Sequence, residues 1–485
     1  MEKILKLYNT ESKIKEPIQS FEDNKLGMYC CGPTVYNYAH IGNLRSYLFE
    51  DVLKRAIISL GFDLTHVVNI TDVGHLTSDA DDGDDKMEKG AAREGKTVWE
   101  IAEHYTDAFM ENIHDLNILD ADIWPKATDH IEEMIAMVKK LEENGITYKT
   151  SDGIYFDTTK FPRYCDFANL DPENLRSGSR IEMGEKKNNT DFALWKFSPT
   201  DTTRAMEWDS PWGVGFPGWH IECSAMSLKY LQQPLDIHCG GIDHIRIHHT
   251  NEIAQVEAST GNKYVRHWAH GEFLVMDSGK MSKSKGGFIT LDTVKDKKID
   301  PLAYRFFNFG AHYRTQLTFS WDGLNSAVAG LKNLRALVKR ECAENGDGVN
   351  ADRIDEILES FWRSVYDDLN MPKAIAAVWE ILHSSDFSKE EKRAAVEKSE
   401  KILALDLFRK EESKKSLAES EGVILVSSSE VDPSIAERIV ALAVKRKNAR
   451  RDKDWATADM MRDELSSLGV VVKDLPDGGS ECVVE

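Results

Sequence analysis

The sequence predicts an α/β protein in which a parallel sheet, interrupted by an insertion, precedes a helical bundle and a small mixed α/β domain. Three observations predict it. A strand, helix, strand pattern fills residues 27 to 72, the same alternation returns at 218 to 269, and strand signals give way to a helical apolar stripe after Asp322. A chain of 485 residues has room for about three domains. Its 41% apolar and 29% charged residues form an ordinary globular composition, which excludes collagen, coiled coil and wholesale disorder. No apolar run approaches the ~18 to 20 residues of a membrane span, and the opening Met1-Glu2-Lys3-Ile4-Leu5-Lys6 lacks the apolar core and cleavage site of a signal peptide. A cytoplasmic location with no membrane partner is expected. A net charge of −21 confines any nucleic-acid contact to a local patch. Seven cysteines, spread from Cys30 to Cys482, suit a reducing compartment better than a disulfide framework.

In chain order, Gly27 to Gly32 reads as a strand ending at a glycine. Asn43 to Ile58 carries Leu44, Leu48, Val52, Leu53 and Ile57 near the spacing of one helix face, and Thr65 to Asp72 reads as a second buried strand. Such a right-handed βαβ unit belongs to a Rossmann-like sheet, whose sites lie at the carboxyl ends of its strands. Residues 1–125 form its first half. Residues 126–200 read as an insertion, with a helix from His130 to Asn144, a short strand Gly153 to Phe156 and a polar stretch through Asn189. The second half occupies 201–270, with Leu235 to His238 as strand and His248 to Ser259 as helix. Residues 271–325 hold a lysine-rich loop. Residues 326–410 form a helical bundle whose stripe includes Ala329, Leu331, Leu334, Leu337 and Val338. Glu411 to Pro433, rich in Ser, Glu and Lys, reads as a linker, and 434–485 as a small domain of a basic helix and the strand Gly469 to Val472.

Two segments point to phosphate chemistry. Cys31 to Asn43 joins a strand end to a helix start, where unpaired N–H groups favour anions and the bare Gly42 lets a ligand approach. Alone, His40-Ile41-Gly42 is equally a capped helix turn. Lys280-Met281-Ser282-Lys283-Ser284 packs lysines into a short loop, which alone reads as solvated charge. Together the two resemble the paired signatures of class I aminoacyl-tRNA synthetases, the first with Asn43 where the family has a second His. The resemblance implies ATP binding with Mg²⁺. Thr34, His40, Gly42, Asn43 and Asp243 would lie around the nucleotide, and His40, Lys280 and Lys283 would act on the phosphates during catalysis.

A second constellation suggests a metal. Four of the fifteen histidines fall between His238 and His249, beside Cys239. His248 and Glu252, four apart on a predicted helix, share one face. Cys30 and Cys31 point to opposite sides of a strand, so one of them could join a zinc site and the other could not. Buried structural histidines explain the spacing as well. The segments Gly218 to Met226 and His248-His249-Thr250-Asn251-Glu252, with Tyr36 and Cys31-Gly32 upstream, resemble the cysteinyl-tRNA synthetase family over nearly the whole chain. By position that family implies one Zn²⁺ per subunit on Cys31, Cys223, His248 and Glu252. Cys239 is a rival ligand, and Thr250 departs from an acidic residue in the family. Thr71, Trp219 and His238 would bind the substrate, and Asp243 would meet the ribose or the substrate ammonium. The acidic run Asp79 to Asp85 fails as a calcium loop, because Ser78 and Lys89 occupy its first and twelfth places.

Lys445 to Trp455 holds six basic and two acidic residues beside an aromatic, a combination suited to single-stranded RNA and also to a plain surface helix. The resemblance makes it the anticodon reader, with Arg450, Trp455, Asp459 and Asp474 at matching positions. The implied partners are L-cysteine, ATP and tRNA(Cys), and the family expectation is a monomer. Three other readings are a ligase passing cysteine from its adenylate to a small amine, a non-catalytic RNA-binding paralogue, and a synthetase for another amino acid, which should not match the four-ligand zinc pattern. The first would not need the basic C-terminal domain. The second would be expected to have lost His40 or the loop lysines.

Overall fold

The computed structural model describes residues 3–20, 24–74, 85–170, 185–199, 204–276, 279–280, 288–409, 415–420, 422–427, 431–475 and 479–484. The chain divides into two units, 1–407 and 408–485, each with apolar cores of its own. No helix among the described residues is long and apolar enough to cross a membrane.

The first unit opens with a hairpin of β1 (Lys6–Asn9) and β2 (Ile14–Pro17). β3 (Lys25–Cys30), α1 (Ile41–Ser59) and β4 (Asp63–Val68) then form the parallel βαβ unit. Leu44, Leu48, Val52, Leu53 and Ile57 are buried along α1. α1 starts at His40 because its Nδ1 accepts from the Asn43 N–H at 3.0 Å while Asn43 Oδ1 accepts from the His40 N–H at 3.2 Å, a reciprocal capping box. α2 (Lys86–Glu94) and α3 (Val98–Asp115) follow. Of the acidic run, Asp85 alone lies within the described residues, where it caps α2 and pairs with Arg204.

The insertion supplies α4 (Ile131–Glu143) and an antiparallel sheet of β5 (Thr147–Lys149), β6 (Gly153–Phe156), β7 (Phe192–Phe197) and β8 (Gly215–Pro217). Pairing of Trp195 with Pro217 carries this layer past residue 200, where composition alone would have ended it. The chain then returns through α5 (Trp219–Tyr230), β9 (Leu235–Gly241), α6 (His248–Thr260) and β10 (Val265–Gly271). The central sheet runs β10-β9-β3-β4, all parallel. Because β3 leads to β4 on one side and β9 to β10 on the other, a crevice opens beyond the carboxyl ends of β3 and β9. One core, including Val67, Met134, Phe156, Trp195, Ile221 and Trp268, ties this sheet to the insertion.

β11 (Leu274–Met276), β12 (Gly279–Lys280) and β13 (Leu317–Phe319) form a small sheet at the start of the lysine loop. α7 (Leu291–Asp296) and α8 (Pro301–Asn308) lead to the bundle, α9 (Trp321–Glu341), α10 (Ala351–Ile357), α11 (Glu359–Tyr366), α12 (Met371–His383) and α13 (Lys389–Leu403). Ala329, read into the apolar stripe of α9, is exposed, and Ala327 is the buried alanine two positions earlier.

The second unit contains β14 (Lys415–Ser420), β15 (Val423–Ser427), α14 (Pro433–Arg451), α15 (Trp455–Ser467), β16 (Val470–Asp474) and β17 (Ser480–Val484), with sheet order β14-β15-β17-β16. The stretch from Glu411 to Pro433 is therefore not a linker. Val423 and Leu425 alternate at period two and are buried in one core with Ile439 and Ala443 of α14.

Candidate active site and metal centre

The crevice is a cleft of about 340 Å³ lined by Thr34, His40, Gly42, Asn43, Thr71, Trp219, Cys223, Asp243 and His248, among others. Its upper end is the N-terminus of α1. A Cβ on Gly42 would stand 2.9 Å from the His40 ring, so the glycine lets that ring lie over the first turn. At the end of β3, a Cβ on Gly32 would stand 1.6 Å from the Asn69 carbonyl oxygen. Bare backbone is thus required where the ends of β3 and β4 converge, and a bridge between Thr34 and Thr71 continues the contact. Lys280 joins β12 by its backbone, pairing with Val275. Its side chain, and Lys283 altogether, lie outside the described residues.

At the lower end Cys31, Cys223, His248 and Glu252 place one donor atom each within 4.8 Å of the others, and all four residues are buried. Cys31 follows β3, Cys223 faces it from α5, and α6 supplies His248 and Glu252 one turn apart. His248 Nε2 is buried with no hydrogen-bond partner among the described residues, and it stands 3.1 Å from Glu252 Oε1. Two thiols, an imidazole and a carboxylate aimed at one point are a donor set that fits zinc. A second set, Cys31, His238, His249 and Glu252, meets the same distance limit. Its imidazoles are committed elsewhere: His238 Nε2 lies 2.9 Å from Glu252 Oε2, and His249 Nδ1 lies 2.7 Å from His270 Nε2. The first set is the better candidate. Cys239 belongs to neither; it pairs in register with Cys30 on the neighbouring strand and shares a hydrogen bond with that thiol.

Electrostatics favour the anionic, metal-binding forms of Glu252 and Cys223. Burial pushes Glu252 up, but His238 and His248 more than reverse it and hold the carboxyl below the usual carboxylate range. A hydrogen bond from Cys31 lowers the Cys223 thiol, whereas burial raises Cys31. Burial lowers His248, yet Cys223 and Glu252 carry it up to about 10, so its ring must give up a proton to bind a metal. A supporting layer orients the donors. His220 Nδ1 stands 2.9 Å from His248 Nδ1, Tyr264 Oη donates to Glu252 Oε2 at 3.0 Å, and His249 Nε2 lies 3.3 Å from Cys31 Sγ.

Thr71 Oγ1 donates to Glu222 Oε2 at 2.9 Å and accepts from Asn69 Nδ2 at 3.0 Å. The Trp219 ring lies 4.9 Å from that of His248. His238 sits one layer behind Glu252 and does not line the cleft. Asn69, His270, Tyr264 and Glu50 were not picked out from sequence. Their signal was weak: single polar residues at strand ends or inside apolar patterns.

In the second unit Trp455 is 59% exposed at the start of α15. Arg450, Asp459 and Asp474 are exposed, and Arg450 pairs with Asp474, which also takes Arg446 Nη1 at 2.8 Å.

Comparison with known proteins agrees with this geometry. Residues 17–329 match the family described as tRNA synthetases class I (C) catalytic domain, and residues 432–478 match the cysteinyl-tRNA ligase anticodon binding domain. Cysteine–tRNA ligase 1 of Burkholderia lata is 47% identical, covering 98% of this chain and 96% of its own. The cysteine–tRNA ligase of Treponema denticola is 44% identical over 97% of this chain and 98% of its own. The solved structure of Mycobacterium tuberculosis methionyl-tRNA synthetase in complex with methionyl-adenylate, only 14% identical, shares the fold with a TM-score of 0.54 over 79% of this chain and 90% of that one. With both domain matches in chain order and near-half identity over almost its entire length, the chain belongs to the cysteine–tRNA ligase family of class I tRNA synthetases.

Proposed function

We propose that the chain activates L-cysteine with ATP to cysteinyl-adenylate, releasing pyrophosphate, and transfers the cysteinyl group to the terminal adenosine of tRNA(Cys), as a monomer in the cytoplasm. The observation that carries this reading is one cleft with a helix N-terminus at its mouth and a buried Cys₂HisGlu set at its base. One Zn²⁺ held by Cys31, Cys223, His248 and Glu252 would supply a soft Lewis acid that accepts a thiolate in preference to a hydroxyl. Mg²⁺ would accompany the nucleotide.

The reacting carboxylate is already an anion, so its attack on the α-phosphate needs position and charge neutralisation more than a base. His40 and the first turn of α1 hold the phosphates, and Lys280 and Lys283 meet charge growing on the α-phosphate and the leaving pyrophosphate. Thr34, Gly42 and Asn43 line the nucleotide end, with Asp243 toward the ribose. Trp219 and Thr71 border the amino acid, and His238 acts through Glu252. Arg450, Trp455, Asp459 and Asp474 contact the anticodon, with exposed Trp455 offering a stacking face.

The test is cysteine-dependent exchange of pyrophosphate into ATP, then charging of tRNA(Cys), with zinc counted per chain. Exchange without charging would point to a small-amine acceptor, and no exchange would refute the activity.

A further inference from the structure

The deep end of the cleft contains a carboxyl that none of these roles uses. Glu50 is only 2% exposed and lines the cleft, yet its Oε1 is buried with no hydrogen-bond partner among the described residues. It lies on the face of α1 that carries Asn43 and Tyr47, two turns and one turn closer to the mouth. The Cys30 thiol acts on its carboxyl, lowering it against the effect of burial, and that thiol stands 3.3 Å from His66 Nε2. Glu50 lines the same cleft as Cys31, Cys223 and His248. An orphaned polar atom at a cavity wall is costly unless a ligand meets it.

We propose that Glu50 binds the α-ammonium of the substrate cysteine. This rests on the function proposed above. The sulfur and nitrogen of cysteine are three bonds apart, roughly 3 to 4 Å in any staggered rotamer. A sulfur seated among Cys31, Cys223, His248 and Glu252 therefore leaves the ammonium near the cleft base, while the carboxylate turns toward His40. Among the described residues three carboxyls line the cleft: Glu50, Asp243 and Glu272. Glu50 is the buried one, whereas Glu272 is half-buried. Asp243 is exposed. Thr71 has committed its proton to Glu222, so it offers a lone pair and no charge. Burial raises the Glu50 carboxyl, and an ammonium in contact supplies the opposite charge that favours the carboxylate.

The test compares L-cysteine with 3-mercaptopropionate, which keeps the thiol and carboxylate but lacks the ammonium. The full-length, zinc-loaded parent and Glu50→Gln, with Glu50→Asp as the conservative variant, are assayed by pyrophosphate exchange. Glu50→Gln should raise the cysteine KM about tenfold or more, the scale of a lost hydrogen bond to a charged group. The inhibition constant of 3-mercaptopropionate should stay within about twofold, because that compound never used the contact. Glu50→Asp should recover part of the loss, with zinc still stoichiometric. An unchanged cysteine KM, or equal weakening of both compounds, overturns the assignment and leaves Glu50 a structural residue. If the parent shows no cysteine-dependent exchange, the activity itself fails and takes this inference with it.

Discussion

Glu252 joins the metal donors to the layer that supports them, since one oxygen faces Cys31 and His248 and the other takes His238 and Tyr264. Replacing it with Gln keeps the shape and removes the charge, so bound zinc should fall from about one per chain to a small fraction. Elemental analysis of purified Glu252→Gln checks this, and full occupancy would exclude it as a ligand. This site was legible in sequence because two of its donors are four apart on one helix and the others carry rare, metal-seeking side chains. Glu50 and Asn69 were not, because each gains meaning from partners far away in sequence. A pH effect belongs to the same scale. Burial, helped by Lys54, holds His66 down from 6.5 to about 3, and burial holds His244 down to about 4. The unfolded chain binds these protons first, so the stability they contribute is complete above about pH 6.5 and is lost as pH falls toward their folded values. The loss is at most about 1.4 kcal/mol per histidine per pH unit. Urea unfolding from pH 7.5 to 5 should show falling midpoints and a shallower fall in His66→Phe; equal slopes would remove His66 from the account.

α1 links chemistry to scaffold. Its N-cap is His40, and eleven residues later Asp51 lies fully buried against the guanidinium of Arg305 from α8 at 2.5 Å. Asp51 also accepts from Arg55 Nε and the Leu119 N–H at 2.8 Å each. Arg305 donates in addition to the carbonyls of Leu403 at 2.7 Å and Leu116 at 3.0 Å, the ends of α13 and α3. Four helices thus meet at one ion pair. Asp51→Asn would leave Arg305 buried and uncompensated, and the expected cost is about 3 to 5 kcal/mol. Denaturant titration checks it, and a cost below about 1 kcal/mol would show that water or another carboxylate takes over. The periodicity of α1 was plain in the sequence, but this junction was not, since a charged pair 254 residues apart looks like two surface residues. β14 and β15 were hidden for a related reason. A strand of five or six residues among Ser, Glu and Lys has too few apolar positions to outweigh composition, and its burial is decided by α14.

At the scale of the molecule, division into two units makes division of labour testable. Val423, Leu425, Ile439, Leu465 and Cys482 close a core entirely within residues 408–485, while the cleft and every metal donor lie within 1–407. The order of the parts followed from the alternation of strand and helix signals, but the boundary at 407 did not, because composition placed a linker across the first two strands of the second unit. A net charge of −21 makes long-range attraction of RNA unfavourable, so productive contact must come from a local basic surface. Six basic residues between Lys445 and Lys453, beside exposed Trp455, form the strongest such surface read from the sequence, and they belong to the second unit. Ending the chain at Leu407 removes that patch with its whole core instead of cutting through a hydrophobic interior. Cysteine-dependent pyrophosphate exchange should then stay within about twofold of the parent, since its ligands are small and touch only the first unit. Charging of tRNA(Cys) at low substrate should fall by about two orders of magnitude or more as phosphate contacts and base stacking are lost together. The decisive comparison is both rates on one preparation whose cooperative thermal unfolding is retained. Loss of exchange in such a protein would mean that the second unit shapes the cleft, and undiminished charging would mean that anticodon contact lies elsewhere.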